Sequence, residues 1–180
     1  MTIDELYLNT IEKLNQNIRP HIKLTPELIS ELKSAWQKAI AGPNIDQSAL
    51  TKIFCILDNT QNYTSELNEL FLETFQKIRD HELLIYILAA SQKHIVNESL
   101  RTGVMVPIFY FDQLRELLKN KNPEVLEWTL RTIESMGPLS LRLKNEIREA
   151  KPGFLKLFNT HQKSATQIIE LLENQWKRML

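Results

Sequence analysis

The chain reads as an all-α protein, a right-handed α-α superhelix of stacked helical hairpins, with an irregular α-helical bundle as the alternative. Three observations lead there. Apolar residues recur every three or four positions along most of the 180 residues, the spacing that lines one side of a helix. Helix-start residues stand just ahead of these runs at Thr2, Thr25, Asp46, Asp80 and Asn122. Three segments also share one template: Asp46-x-x-Ala49-Leu50-x-x-Ile53-Phe54, Asp80-x-x-Leu83-Leu84-x-x-Ile87-Leu88 and Asn122-x-x-Val125-Leu126-x-x-Thr129-Leu130. They begin 34 and 42 residues apart, and Ser164-Ala165-x-x-Ile168-Ile169 is a looser copy. A hairpin of this kind cannot bury both apolar edges alone, so neighbours stack on it and the core becomes a ribbon. No stretch alternates strictly between hairpin turns, so strands are not expected.

In order along the chain, Thr2 with Glu5 forms a capping box, and Ile3, Tyr7, Ile11, Leu14 and Ile18 carry a helical stripe until Pro20. Thr25-Pro26-Glu27 starts a second helix with Leu28, Leu32, Ala35, Trp36 and Ala39 inside, closed by Gly42-Pro43. Asp46 opens a third, with Leu50, Ile53, Phe54 and Leu57, and residues 58–64 are polar loop. A fourth runs from about Glu66 with Leu67, Leu70, Phe71, Thr74, Phe75 and Ile78 inward. Asp80 caps a fifth that is apolar nearly all round from Leu83 to Ala90, hence central, and ends before Gly103.

The stretch from Pro107 to Pro138 is the clearest hairpin. Phe111, Leu114, Leu117 and Leu118 line its first helix, and Asn122-Pro123-Glu124 caps and starts the second. There Leu126, Thr129, Leu130 and Ile133 face inward, opposite a charged stripe of Glu124, Glu127, Arg131 and Glu134 in which Glu127 and Arg131 stand four apart. Gly137 ends that helix in a left-handed cap and Pro138 keeps it ended. Leu139, Leu143 and Ile147 mark another helix up to Pro152. The last runs from about Asn159, with Ala165, Ile168, Ile169, Leu172, Trp176 and Met179 on one face.

The segment from Ile108 to Gly137, with its apolar first helix, its Lys-Asn-Pro-Glu-Val turn and its Leu-x-x-x-Leu second helix, resembles a HEAT-type or armadillo-type repeat. The likeness extends weakly over residues 25–180. It implies a non-enzymatic protein-binding scaffold whose second helices line a concave surface, with a protein or peptide as partner. One branch of HEAT-like proteins resembles alkyl-base DNA glycosylases, which gives a nucleic-acid binder or glycosylase as the alternative.

Composition bounds these readings. At 180 residues, the length suits a single domain, 1–180, burying roughly 70% of its extended surface. Lys+Arg and Asp+Glu both count 22, which disfavours nucleic-acid binding through the overall field. Residues 1–120 hold 12 Lys+Arg against 15 Asp+Glu, whereas 121–180 hold 10 against 7, so the C-terminal third is modestly basic. The single cysteine, Cys55, sits among apolar neighbours and reads as buried. MTIDELYLNT lacks the apolar core of a signal peptide, and the longest apolar runs fall short of the roughly 20 residues of a membrane span. A cytoplasmic protein without membrane contact is expected.

Chemistry-bearing motifs are sparse. His81-Glu82 begins like a helical zinc motif, but position 85 is Ile, so neither a metal nor a cofactor is expected. Gly-rich phosphate loops and a Gly-x-Ser-x-Gly elbow are missing from the sequence, and no catalytic residue is assigned. Two surfaces stand out instead. Glu124, Glu127, Trp128, Arg131 and Glu134 are the candidate partner-binding set, because Trp and Arg anchor interfaces; a core role for Trp128 is the other reading. Arg142, Lys144, Arg148 and Lys151, with Lys156 and Lys163 nearby, are the candidate anion-binding set, against a solvated face partly paired with Glu146 and Glu149.

Overall fold

In a computed structural model that describes residues 2–153 and 159–179, the protein is all-helical, with no strand among the described residues. The chain divides into two compact units, residues 1–105 and 106–180.

Unit 1 contains α1 (Ile3–Asn15), α2 (Pro26–Ile40), α3 (Gln47–Asp58), α4 (Asn68–Lys77), α5 (His81–Ser91), a π-helical segment (Gln92–Asn97) and α6 (Glu98–Thr102). The capping residues explain where most of these begin. Thr2 and Glu5 close the reciprocal box, with the Thr2 amide donating to Glu5 at 2.8 Å. The side chains of Thr25, Asp46 and Asp80 accept from the amides of Leu28, Ala49 and Leu83. Each satisfies a donor that the first helical turn leaves open.

The helices then sort by contact. α3 lies between α1 and α5, while α2 packs on α3 and α4, and α4 also meets α5. Trp36 of α2 is the fully buried centre, its ring edge-on to Phe54 at 5.0 Å and to Phe71 at 4.8 Å. Its indole N–H donates to the Thr74 hydroxyl at 2.8 Å, which donates onward to the Leu70 carbonyl at 2.6 Å. A buried tryptophan needs such an acceptor, and here a threonine at a core position supplies it.

Four details refine the sequence expectation. α1 stops at Asn15, well before Pro20, because Asn17 enters the left-handed region at φ 56°. The α1 residues that are buried are Leu6 and Thr10, while the stripe from Ile3 to Ile18 stays partly or largely exposed. The fifth helix does reach Gly103, which takes φ 73°, but through a π segment at Gln92–Asn97. The polar residues 58–64 have structural duties. Asn62 clamps both backbone groups of Leu24, and Ile22 forms an isolated parallel bridge with Thr60.

Unit 2 contains α7 (Ile108–Leu117), α8 (Pro123–Ser135), a 3-10 segment (Gly137–Leu143), α9 (Lys144–Glu149) and α10 (Thr160–Met179). Asn122 caps α8 through Glu124 and Val125 as expected, and Gly137 takes φ 57° just after it. The helix expected from Leu139 begins instead as a 3-10 coil. Pro138 offers no N–H, and the Ser140 hydroxyl donates to the Gly137 carbonyl at 2.6 Å, competing with the α pattern. α8 packs along α10, and the 3-10 segment meets α7, α8, α9 and α10. Trp176 of α10 is buried and donates to the Ser140 hydroxyl at 2.9 Å, while Met179, expected on the same inward face, is exposed.

Candidate functional site

α8 carries the five residues expected to meet a partner, and the structure divides them. Glu124, Trp128 and Glu134 are half-buried and Arg131 is exposed, but Glu127 is only 7% exposed. Glu127 therefore leaves the solvent stripe to which its spacing assigned it. Its Oε1 accepts from the Arg131 Nε and Nη2 at 2.9 and 2.6 Å, and its Oε2 from the His161 Nδ1 at 2.8 Å. A carboxylate only accepts, so the His161 proton sits on Nδ1, leaving Nε2 as the ring's other face. The arrangement ties the first turn of α10 to the middle of α8 by charge-assisted bonds.

The candidate anion-binding cations are each engaged. Arg142 lies over the Phe111 ring at 5.2 Å and Lys144 reaches to 5.9 Å from the Trp176 ring. Arg148 pairs with Glu173 at 3.3 Å and Lys151 with Glu170 at 3.4 Å, so the basic face is stitched to α10 rather than to Glu146 and Glu149. Glu146 instead takes Arg115 of α7 at 2.6 Å, and that hydrogen bond holds its carboxyl below the ordinary range. Lys156 lies outside the described residues, and Lys163 is exposed.

Two groups in unit 1 are chemically distinctive: Cys55, which the sequence marked as buried, and His94, which it did not single out. Cys55 is buried as expected, and burial pushes its thiol up to about 11; a thiolate is correspondingly hard to form. His94 is fully enclosed at the π segment. The Thr64 amide donates to its Nδ1 at 3.2 Å, so the proton sits on Nε2, which faces the Leu57 carbonyl at 3.1 Å and the Thr60 hydroxyl at 3.2 Å. Its ring stacks on Phe71 and meets Tyr63 edge-on. Burial brings the imidazole down to about 4. His94 is thus a neutral structural pin.

What sequence reasoning missed lies at the start of α7. Ile108 and Phe109 are 69% and 68% exposed, while the adjacent Tyr110 and Phe111 are buried. A signal was present: with Phe111, Leu114 and Leu118 inward, the helical period turns Phe109 well away from them. Leu100, Val104 and Met105, at the end of unit 1, are also exposed.

Among the described residues no group of three or more His, Cys, Asp or Glu side chains is placed to hold a metal ion, and no helix is long and apolar enough to cross a membrane. Comparison with protein-family models, curated proteins and solved structures found no match to this chain.

Proposed function

We propose that the protein is a non-enzymatic protein-binding scaffold built on HEAT-like stacked hairpins, and that the α7–α8 hairpin of unit 2 presents its contact surface. The carrying observation is the pair Ile108 and Phe109, two large apolar side chains left in water at the start of α7. Burying an exposed Ile or Phe on association contributes about 1.5–3 kcal/mol each, and clustered apolar exposure of this sort marks contact surfaces. On α8, Trp128 is half-buried and Arg131 exposed, an aromatic and a cation of the type that anchors interfaces.

The order of the helices supports the stacked reading. In unit 1 the second helices of successive pairs, α3 and α5, are neighbours, as are α2 and α4. In unit 2 the corresponding neighbours are α8 and α10. That is the adjacency a row of hairpins produces. Engagement of Arg142, Lys144, Arg148 and Lys151 within unit 2 favours a protein over a polyanion as the partner.

The test is affinity capture from cell extract with wild type, with Ile108→Ser/Phe109→Ser, and with Trp128→Ala/Arg131→Ala. Wild type is expected to retain a protein that the α7 variant loses by about tenfold or more, and the α8 variant is expected to weaken the same complex. Because Ile108 and Phe109 are exposed, thermal unfolding of the α7 variant should match wild type. Equal retention of the same protein by all three chains would remove the assignment.

A further inference from the structure

Unit 1 holds a second surface, unrelated to α7. A cavity of about 460 Å³, open to solvent, is lined by Leu14, Asn17, Ile18, Arg19, Asp58 and Lys93. Asn59 also lines it, and Leu14 and Ile18 are its apolar part. Leu14 and Ile18 are 40% and 51% exposed, and the backbone holds Ile18 in place. The Asn17 amide donates to the Leu14 carbonyl at 3.0 Å and the Ile18 amide to the Lys13 carbonyl at 2.9 Å. This double bond pattern around a left-handed residue is a Schellman cap, which ordinarily covers the following apolar side chain against its own helix. Here that side chain remains in the cavity wall.

The rim is positive. Lys93, carried on the π segment, has its stem mostly buried and its Nζ 3.5 Å from the Asp58 carboxylate, a long separation for an ion pair. Among the described residues Arg19 enters no ion pair or side-chain hydrogen bond. Two cations and one carboxylate therefore share a lining with two aliphatic side chains.

We propose that this cavity docks a linear peptide segment of a partner protein in which an Asp or Glu stands next to an aliphatic residue. The carboxylate sits between Arg19 and Lys93, where the guanidinium offers two parallel donors. The aliphatic side chain covers Leu14 and Ile18. A concavity open to solvent admits an extended segment, and the surplus positive charge selects an acidic one over a basic one.

The experiment is fluorescence anisotropy of the full chain with labelled Gly/Ser-rich peptides carrying Leu-Glu or Ile-Asp, against counterparts carrying Leu-Lys. The acidic peptides are expected to bind, more weakly as salt rises, and the basic ones to fail. Arg19→Glu should weaken binding by about tenfold without changing thermal unfolding, because Arg19 is exposed. Asp58→Asn should tighten it by removing the competing carboxylate. Sodium decanoate is run in parallel. Absence of acidic-peptide binding, equal affinity of Arg19→Glu and wild type, or binding of decanoate but of no peptide would each overturn the proposal. Loss of capture by the α7 variant with these affinities intact separates the two surfaces.

Discussion

His94 shows what one buried titratable side chain imposes on a helical unit. Its Nδ1 must accept from the Thr64 amide, so a proton there would face a donor with nowhere to turn. Desolvation is the main cause of the low value of about 4, partly offset by the Leu57 carbonyl at Nε2; Lys93 adds to the lowering, and Glu98 and Asp58 oppose it. The unfolded chain takes up this proton near 6.5, the folded one only near 4. Between those values the unfolded state binds more protons, so the contribution is complete above 6.5 and is lost as pH falls toward 4. The window is worth about 3 kcal/mol. Denaturant titrations of wild type and His94→Gln from neutral pH downward check this. The glutamine amide can accept from Thr64 and donate to Leu57 but does not titrate, so the variant's stability should fall less steeply with acid. Parallel curves for the two proteins would show that some other group carries the acid sensitivity.

Between elements, Glu127 joins α8 to α10: one carboxylate oxygen takes Arg131 of its own helix and the other takes His161 of α10. Removing it loses the charge-assisted bonds to Arg131 and His161, whose own side chains keep access to water, so the cost is about 0.5–1.5 kcal/mol. Glu127→Ala should therefore lower the denaturation midpoint of unit 2, whereas Glu124→Ala, half-buried at the helix start, should cost less. If the two variants unfold together, the bonds to Arg131 and His161 are not what holds α10. Sequence spacing revealed the Arg131 half of this arrangement, because four residues along a helix is a local distance. The His161 half was illegible, since it joins positions 34 apart through the docking of α10. The same division runs through the other elements. Caps at Thr2, Thr25, Asp46, Asp80 and Asn122 are local and were readable. The inward face of α1 was not, because two apolar sets compete on that helix and packing on α3 chose Leu6 and Thr10. The π segment was equally hidden: no residue in QKHIVN demands a wider turn, and His94 is drawn inward by groups at Leu57, Thr60 and Thr64.

Across the whole chain, all-helical architecture follows from the periodicity, but the division into two compact units does not announce itself in composition. The apolar run from Val104 to Phe111 gives no sign of a break; in the structure Val106 is buried while Leu100, Val104, Met105, Ile108 and Phe109 are exposed, and the division falls after Met105. Each unit has its own buried tryptophan hydrogen-bonded to a hydroxyl, Trp36 to Thr74 and Trp176 to Ser140. Apolar cores of this kind are what let a stretch of chain fold by itself. The expected outcome is that the fragment of residues 1–105, whose only tryptophan is Trp36, retains a cooperative denaturant transition in fluorescence, and that its Trp36→Phe form retains one in circular dichroism at a lower midpoint. The lowering should be about 1–3 kcal/mol, from the lost hydrogen bond to Thr74 and the smaller ring. A fragment with helical content but a broad, non-cooperative transition would mean that Trp36 and its neighbours need residues 106–180 to pack. The unit would then be compact only as part of the full chain.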